Sequence, residues 1–326
     1  MTLKHTSVTD SQECVSDFQM FHCTPQVTLL HPRATLEWRQ CTNLPVGMRH
    51  VQAVVLNNKI YVGGGFSTTL SNIYTYDPTM DTWETLQSPT RRSAFTTYRK
   101  KLLLVGGGVV STDETSNQLW VFEEGEQTWT QPLPPIPTRR WGASAVSTKD
   151  HLIVAGGLSK SGDLNAVEVF DGQQWVTADP LRMSCGIQST SHDGHYYLTG
   201  VSGQGTSVFY TSLQSLVDKA TQYPPTSPTN TGQPSVWKTL PDTPHQWSSI
   251  TIFGGALVAV GGYPNQSSLH LFSPLTQSWL PTGEMPVGVT CTCTVTLPTG
   301  EMVVIGGRTR DTSYSPLVYK ARIKLQ

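Results

Sequence analysis

An apolar stretch ending in a pair of glycines recurs along this chain: Ile60–Gly64, Leu103–Gly107, Ile153–Gly157, Val258–Gly262 and Val303–Gly307. A sixth copy, Tyr196–Gly200, keeps only the first glycine. The first glycines, Gly63, Gly106, Gly156, Gly200, Gly261 and Gly306, lie 43, 50, 44, 61 and 45 residues apart. The second glycines are Gly64, Gly107, Gly157, Gly262 and Gly307. A fixed period of this size means that one supersecondary unit is copied, and that each copy buries its apolar face against the next.

Tryptophan follows the same period at Trp38, Trp83, Trp129, Trp175, Trp237 and Trp279. The distance from each of these to the next first glycine stays between 23 and 27 residues. That half of the unit is therefore structurally constrained, and the one long unit carries its extra residues between Gly200 and Trp237. Each unit reads as four short strands. In the first complete one, Val51–Leu56 turns at Asn57-Asn58 into Lys59–Val62, which ends at the glycines. Asn72–Tyr76 then turns at Asp77-Pro78 into Thr82–Leu86, which carries Trp83. Asn-Asn and Asp-Pro are turn chemistry, and a glycine closing a strand permits close backbone approach. An aromatic recurs on the third strand: Tyr76, Phe122, Phe170, Phe209 or Tyr210, Phe272 and Tyr319. Four strands in about 45 residues, six times over, predict an all-β, six-bladed propeller with four antiparallel strands per blade.

The diglycine, the third-strand aromatic (as in Ile73–Pro78 and Val169–Asp171) and the tryptophan that follows resemble the Kelch motif. The resemblance spans Leu36 to Gln326, with five good copies and one degenerate one. It implies a Kelch propeller that binds protein partners. Members of that family serve as substrate adaptors of cullin–ubiquitin ligases or as actin-associated proteins; the adaptors carry an N-terminal BTB domain, so adaptor activity is expected to require another protein or a longer product of which this chain is a part. Others are enzymes, including copper radical oxidases and sialic acid mutarotases.

The ends of the repeat complement each other. Gly306-Gly307 has no tryptophan after it, and Trp38 has no glycine pair before it. Leu36–Gln40 is therefore expected to supply the outer strand of the blade formed by Val289–Leu297, Met302–Ile305 and Leu317–Lys320. The domain reading is a flexible segment over residues 1–34 and a propeller over 35–326, with a long Ser/Thr/Pro-rich loop at 211–235 in the fourth blade.

Charge narrows the partners. Lys and Arg number 22 against 23 Asp and Glu, so no basic excess exists to neutralise nucleic-acid phosphates. No apolar run is long enough to span a bilayer, and residues 1–30 lack the apolar core of a secretory signal. The six cysteines form no CxxC pair, which fits reduced thiols and a cytoplasmic, monomeric ring.

Topology sorts the loops by face. In an up-and-down blade, the loop leading into strand one and the loop leaving strand two lie on the same side of the disc. The lead-in loops carry Arg49, Arg91-Arg92, Arg139-Arg140 and Arg182, each a few residues after a proline. The exit loops begin with Phe66, Val109, Leu158, Ser202, Tyr263 and Arg308. Arg49, Arg92, Arg140, Arg182 and Arg308, with Trp141, Trp247, Phe66 and Tyr263, are therefore the expected partner-binding residues. Guanidinium forks suit carboxylates and aromatic rings supply contact area, so the expected partner is a protein with an acidic or phospho-bearing segment. The opposing reading of any single arginine is a structural one, pairing with neighbouring blades.

No metal or cofactor is expected. The sequence contains no HExxH or GxSxG, and His192 and His195 flank an Asp193-Gly194 turn rather than forming a ligand pair. The alternative function is a small-molecule enzyme of the sugar isomerase or mutarotase type, working in the central pocket.

Overall fold

A computed structural model describes residues 34–67, 72–112, 114–182, 188–201, 206–222, 235–264 and 266–325. Six four-stranded antiparallel sheets form six blades. Blade 1 is Gln52–Leu56, Lys59–Gly63, Asn72–Asp77 and Thr82–Gln87. Blade 2 is Ala94–Tyr98, Lys101–Val105, Leu119–Glu123 and Thr128–Thr130. Blade 3 is Ser144–Ser147, Leu152–Ala155, Val167–Phe170 and Trp175–Thr177. Blade 4 is Ser189–His192, His195–Val201, Thr206–Ser212 and Lys238–Thr243. Blade 5 is Ser249–Phe253, Ala256–Val260, Gln266–Ser273 and Ser278–Val289. Blade 6 takes Cys293–Thr296, Met302–Ile305 and Val318–Leu325 from the C-terminal end and its outer strand, Ala34–Gln40, from the N-terminal end.

Each innermost strand packs on that of the next blade, and the sixth returns to the first, so the ring is closed. The expected N-terminal strand does the closing. It pairs along seven residues, from Ala34 opposite Leu325 to Gln40 opposite Tyr319. Leu36 and Trp38 from this strand pack into the core between blades 5 and 6, against Met285, Tyr319 and Ala321. Closure leaves the sheet stack without a gap whose edges could pair with another chain.

The two repeated residue types hold the blades to one another. Gly107, Gly262 and Gly307 donate their backbone N–H to Arg140, Val289 and Met48 of the next blade's lead-in loop, at 2.8, 2.8 and 2.7 Å. A Cβ on Gly106, at φ +63°, would lie 2.4 Å from the Arg140 carbonyl oxygen, which is why glycine occupies this seam. On the outer strands, Trp83, Trp129, Trp175, Trp237 and Trp279 donate their indole N–H to the carbonyls of Thr42, Gln87, Pro134, Asp179 and Pro241, all at 2.9 Å. Each acceptor lies at or just beyond the outer strand of the preceding blade, so five tryptophans strap five blade junctions. Trp38 differs, because its indole N–H is buried with no hydrogen-bond partner. The third-strand aromatics sit directly opposite the tryptophans in four blades: Tyr76–Trp83, Phe122–Trp129, Phe170–Trp175 and Phe272–Trp279. Their ring centroids lie 4.7 to 5.4 Å apart. Such cross-strand aromatic pairs contribute about 0.5–1.5 kcal/mol beyond area burial.

The reading of 211–235 as loop is corrected over its first part. The third strand of blade 4 runs to Ser212, and a helix follows at Leu213–Gln222. Its polar residues concealed an amphipathic face. Leu213, Leu216, Val217 and Ala220 are buried among Ala178, Leu181 and Trp237, at the seam of blades 3 and 4. Lys219 adds an ion pair to Asp179 at 3.4 Å. Residues 223–234 of the expected loop lie outside the described residues, as do 1–33 of the expected N-terminal segment.

Candidate functional site: a collar around the axial mouth

The expected sharing of one face by lead-in and exit loops is visible as backbone pairing. Met48–Arg49 pairs with Phe66–Ser67, and Thr90–Arg91 with Gly108–Val109. Single bridges join Trp141 to Leu158, Gln246 to Tyr263 and Thr290 to Arg308. Five blades thus present the same short bridge on one side of the disc.

Directly after each bridging lead-in residue, two positions before the inner strand, the backbone adopts positive φ. The residues are His50 (52°), Arg92 (58°), Gly142 (62°), Trp247 (59°) and Cys291 (54°). In blade 4 this position falls on Ile187, outside the described residues. Four non-glycine side chains in the left-handed region cost free energy that the surrounding ring must hold, and strain of this kind concentrates at binding sites. Backbone hydrogen bonds link the collar across blades: His50 N–H to Cys291 O at 2.8 Å, Gly142 N–H to Arg92 O at 2.8 Å, and Cys291 N–H to Trp247 O at 3.3 Å.

Below the collar, a central cavity of about 340 Å³ is lined by the six inner strands. Its walls are Ser, Thr, Gln, Cys293 and apolar residues, without a charged side chain or histidine among those described. Much of its polar surface is spent on joining blades. Gln52 Nε2 donates to Ala143 O at 2.8 Å and Gln52 Oε1 accepts from Phe95 N–H at 3.0 Å. Ser249 and Thr294 share a 2.7 Å hydrogen bond, and Gln188 donates to Thr292 O. Burial pushes the Cys293 thiol up to about 12, so it lines the cavity as a small neutral group.

The structure brings most of the expected binding residues together. The Arg92 guanidinium lies over the rings of Phe66 and Trp141, at 4.6 and 4.9 Å from their centroids. Arg49 lies 6.0 Å from Phe66 and 5.2 Å from Tyr314. Phe66 meets Trp141 edge-on at 6.4 Å. Trp247 joins through His50, whose ring lies 5.2 Å from Trp247 and 5.8 Å from Phe66. Burial, reinforced by the Arg49 charge, lowers the His50 pKa to about 4, which keeps this imidazole neutral at pH 7. Arg182, Arg308 and Tyr263 are exposed, Tyr263 by 55%. They sit on the lead-in and exit loops, and no ring contact joins them to this cluster among the described residues.

Arg140 does not belong to the surface. Its side chain is 0% exposed and ion-paired with Glu168, which is itself 2% exposed. It also donates to Gly156 O at 2.8 Å and Ala166 O at 3.1 Å, and Glu168 accepts from the Thr138 hydroxyl at 2.5 Å. The reason is phase within the repeat. Arg49 and Arg91 occupy the bridging position, which in blade 3 is Trp141; Arg140 stands one residue earlier, where blades 1, 2 and 6 bury Met48, Thr90 and Val289. The opposing, structural reading thus holds for this arginine. His50 and Tyr314 were missed because neither occupies a residue type that repeats from blade to blade.

No group of three or more His, Cys, Asp or Glu that could hold a metal occurs among the described residues. Nor is any helix among them long and apolar enough to cross a membrane.

Comparison with known proteins agrees with the repeat. The model of the Kelch motif matches residues 48–90, which is the blade 1 unit from its lead-in loop to the start of the next. With six units in phase and six blades observed, the assignment is decided. The chain is a six-bladed propeller that carries the Kelch motif. Kelch-like protein 23 of Pongo abelii is 20% identical over 268 residues, covering 69% of this chain and 48% of that protein. Beta-scruin of Limulus polyphemus is 26% identical over 151 residues, covering 41% of this chain and 16% of that protein. Human Kelch-like protein 6 is 38% identical over 77 residues, 22% of this chain and 12% of that protein. The Kelch chain described here therefore spans at most about half the length of these curated relatives. The solved structure of YjhT superposes with a TM-score of 0.65 at 15% identity, covering 87% of this chain and 99% of that one, which shows a shared fold.

Proposed function

We propose that this Kelch propeller is a noncatalytic scaffold that binds a partner protein, through an acidic segment, on the face carrying the lead-in and exit loops. The observation that carries the reading is the collar: cationic and aromatic side chains from neighbouring blades gathered around one mouth of the ring, with Arg92 and Trp247 on positive-φ backbone. Arg49, Arg92, Arg182 and Arg308 form no ion pair among the described residues, so their charge is open to a partner's carboxylates. The described walls of the central cavity supply no carboxylate, imidazole or amine for acid–base chemistry, which favours a scaffold over a sugar isomerase. A role in substrate recognition for a ubiquitin ligase, or as a cytoskeletal adaptor, is compatible with relatives named Kelch-like and Kelch repeat and BTB domain-containing proteins. It requires a further chain or domain to supply the effector.

The test is quantitative affinity capture with the wild-type ring and with the charge reversals Arg49→Glu and Arg92→Glu combined, folding being checked by circular dichroism. Partners retained by wild type should be lost from the variant. Partners captured equally by both would refute the assignment of this face. Saturable binding of a sugar by the pure protein, abolished by substitutions in the cavity wall, would favour the enzyme.

A further inference from the structure

Away from the arginines, two histidines meet at the seam of blades 4 and 5. The rings of His245 and His270 have centroids 5.5 Å apart and planes at 69°. His245 comes from the loop leading into blade 5, and His270 from the third strand of that blade. His270 stands opposite Ala259, which packs against Tyr197 and Val208 of blade 4. Ser268, two residues before His270, shares this face of the strand. We infer that these residues form a site for a divalent late transition metal of the Zn2+ kind, with the two imidazoles as ligands and the Ser268 hydroxyl as a positioning group for a metal-bound water. The site does not depend on the proposed partner-binding face.

The spacing fits one shared ion. Zinc lies about 2.0–2.1 Å from an imidazole nitrogen, hence about 3.2 Å from the ring centre, and two such rings at a tetrahedral angle stand about 5.2 Å apart. Opening that angle to about 120° gives the observed 5.5 Å. The donors are uncommitted. Burial lowers the pKa of both histidines, helped for His270 by the imidazole beside it, and neither ring has a carboxylate or hydrogen-bond partner among the described residues. Both are neutral at pH 7, and each keeps a lone pair for a metal. His192 and His195 differ, because both are engaged with Asp193, at 3.3 and 3.0 Å. The Ser268 hydroxyl is buried with no hydrogen-bond partner among the described residues, and a metal-bound water would supply one. The loop is also held in place. The His245 carbonyl accepts the hydroxyls of Thr243 and Ser248 at 2.8 Å and of Thr206 at 3.3 Å. A Cβ on Gly262 would lie 2.4 Å from that of His245, so glycine there is what admits the histidine. Neutral nitrogen donors select zinc, copper or nickel over magnesium and calcium, which take oxygen ligands. Two protein ligands leave further coordination positions to water or to a donor from outside the ring.

The probe is Zn2+, titrated calorimetrically into the purified full chain without an affinity tag. His245→Gln and His270→Gln should each weaken binding by about tenfold or more. Ser268→Ala should weaken it about three- to tenfold, and Ser268→Thr, which keeps the hydroxyl, should restore it. His192→Gln combined with His195→Gln should leave it unchanged. Melting of each variant without metal establishes that the ring is folded. On the wild-type ring, the electron paramagnetic resonance spectrum of bound Cu2+ should show two imidazole nitrogens, a readout that needs no variant. Equal Zn2+ binding by wild type and both single histidine variants overturns the site, as does loss only with the His192 and His195 pair. Absence of saturable binding, or a Cu2+ spectrum dominated by a thiolate ligand, overturns it as well. If Ser268→Thr binds as weakly as Ser268→Ala, the role of the hydroxyl is wrong.

Discussion

The tryptophan straps yield a prediction with two signs. Trp83, Trp129, Trp175, Trp237 and Trp279 each donate one indole hydrogen bond, at 2.9 Å, to the preceding blade. Substitution by Phe keeps a ring on the strand and deletes the donor. The net loss for one such bond is about 1 kcal/mol, with a further contribution where the smaller ring leaves a gap. Trp237 is 1% exposed, so its variant should be the least stable of the five. Trp38 is expected to behave oppositely. Its buried N–H has no partner, and a buried unsatisfied donor costs about 1–3 kcal/mol. Trp38→Phe removes that cost while retaining most of the apolar contact with the core between blades 5 and 6. Urea unfolding followed by circular dichroism would rank the six variants by midpoint. The five strap variants should fall by about 1–2 kcal/mol, whereas Trp38→Phe should match or exceed wild type. The strap argument is refuted if Trp38→Phe loses as much as Trp83→Phe, or if Trp83→Phe costs nothing.

Further expectations concern closure, acid and the buried ion pair. Deleting residues 1–40 removes the strand paired from Ala34 to Gln40, and should lower the melting temperature of the whole ring rather than of one blade; a truncation that melts like the full chain contradicts the closure. His50 has its pKa lowered to about 4, so below its ordinary value of 6.5 the unfolded chain binds a proton that the folded ring does not. Stability from this group is complete above pH 6.5 and declines toward pH 4, by at most about 3 kcal/mol, and His50→Gln should flatten that part of the pH–stability profile. Arg140→Met strands the Glu168 carboxylate inside blade 3 and should cost about 3–5 kcal/mol in denaturant unfolding, while Arg140→Met with Glu168→Leu should recover most of it.

What was legible in the sequence follows from which features repeat. The glycine pair and the tryptophan do one job at successive seams, so their period exposes blade number, strand number and the complementary deficits of the two ends. The sharing of a face by lead-in and exit loops follows from chain direction alone, so the sequence suffices to place Arg49, Arg92, Phe66 and Trp141 on one side of the ring. Side-chain direction within a loop does not follow from that argument. Arg139-Arg140 resembles Arg91-Arg92 as a dipeptide, yet it stands two residues earlier relative to the bridge, and the offset sends Arg140 inward to Glu168. The positive-φ collar escaped notice because its residues, His50, Arg92, Gly142, Trp247 and Cys291, share a backbone conformation and no chemistry. The helix at Leu213–Gln222 was hidden by a mean composition too polar to announce the apolar stripe that seals blades 3 and 4.

The central claim is that the collar face receives the partner. Cross-linking mass spectrometry on a captured complex tests it most directly, comparing wild type with the paired reversals Arg49→Glu with Arg92→Glu on the collar face and Lys100→Glu with Lys149→Glu on the opposite turns. Cross-links should fall on the lead-in and exit loops, and capture should be lost only with the first pair. Cross-links concentrated on the turns bearing Lys100 and Lys149, or capture lost only with the second pair, would contradict the claim.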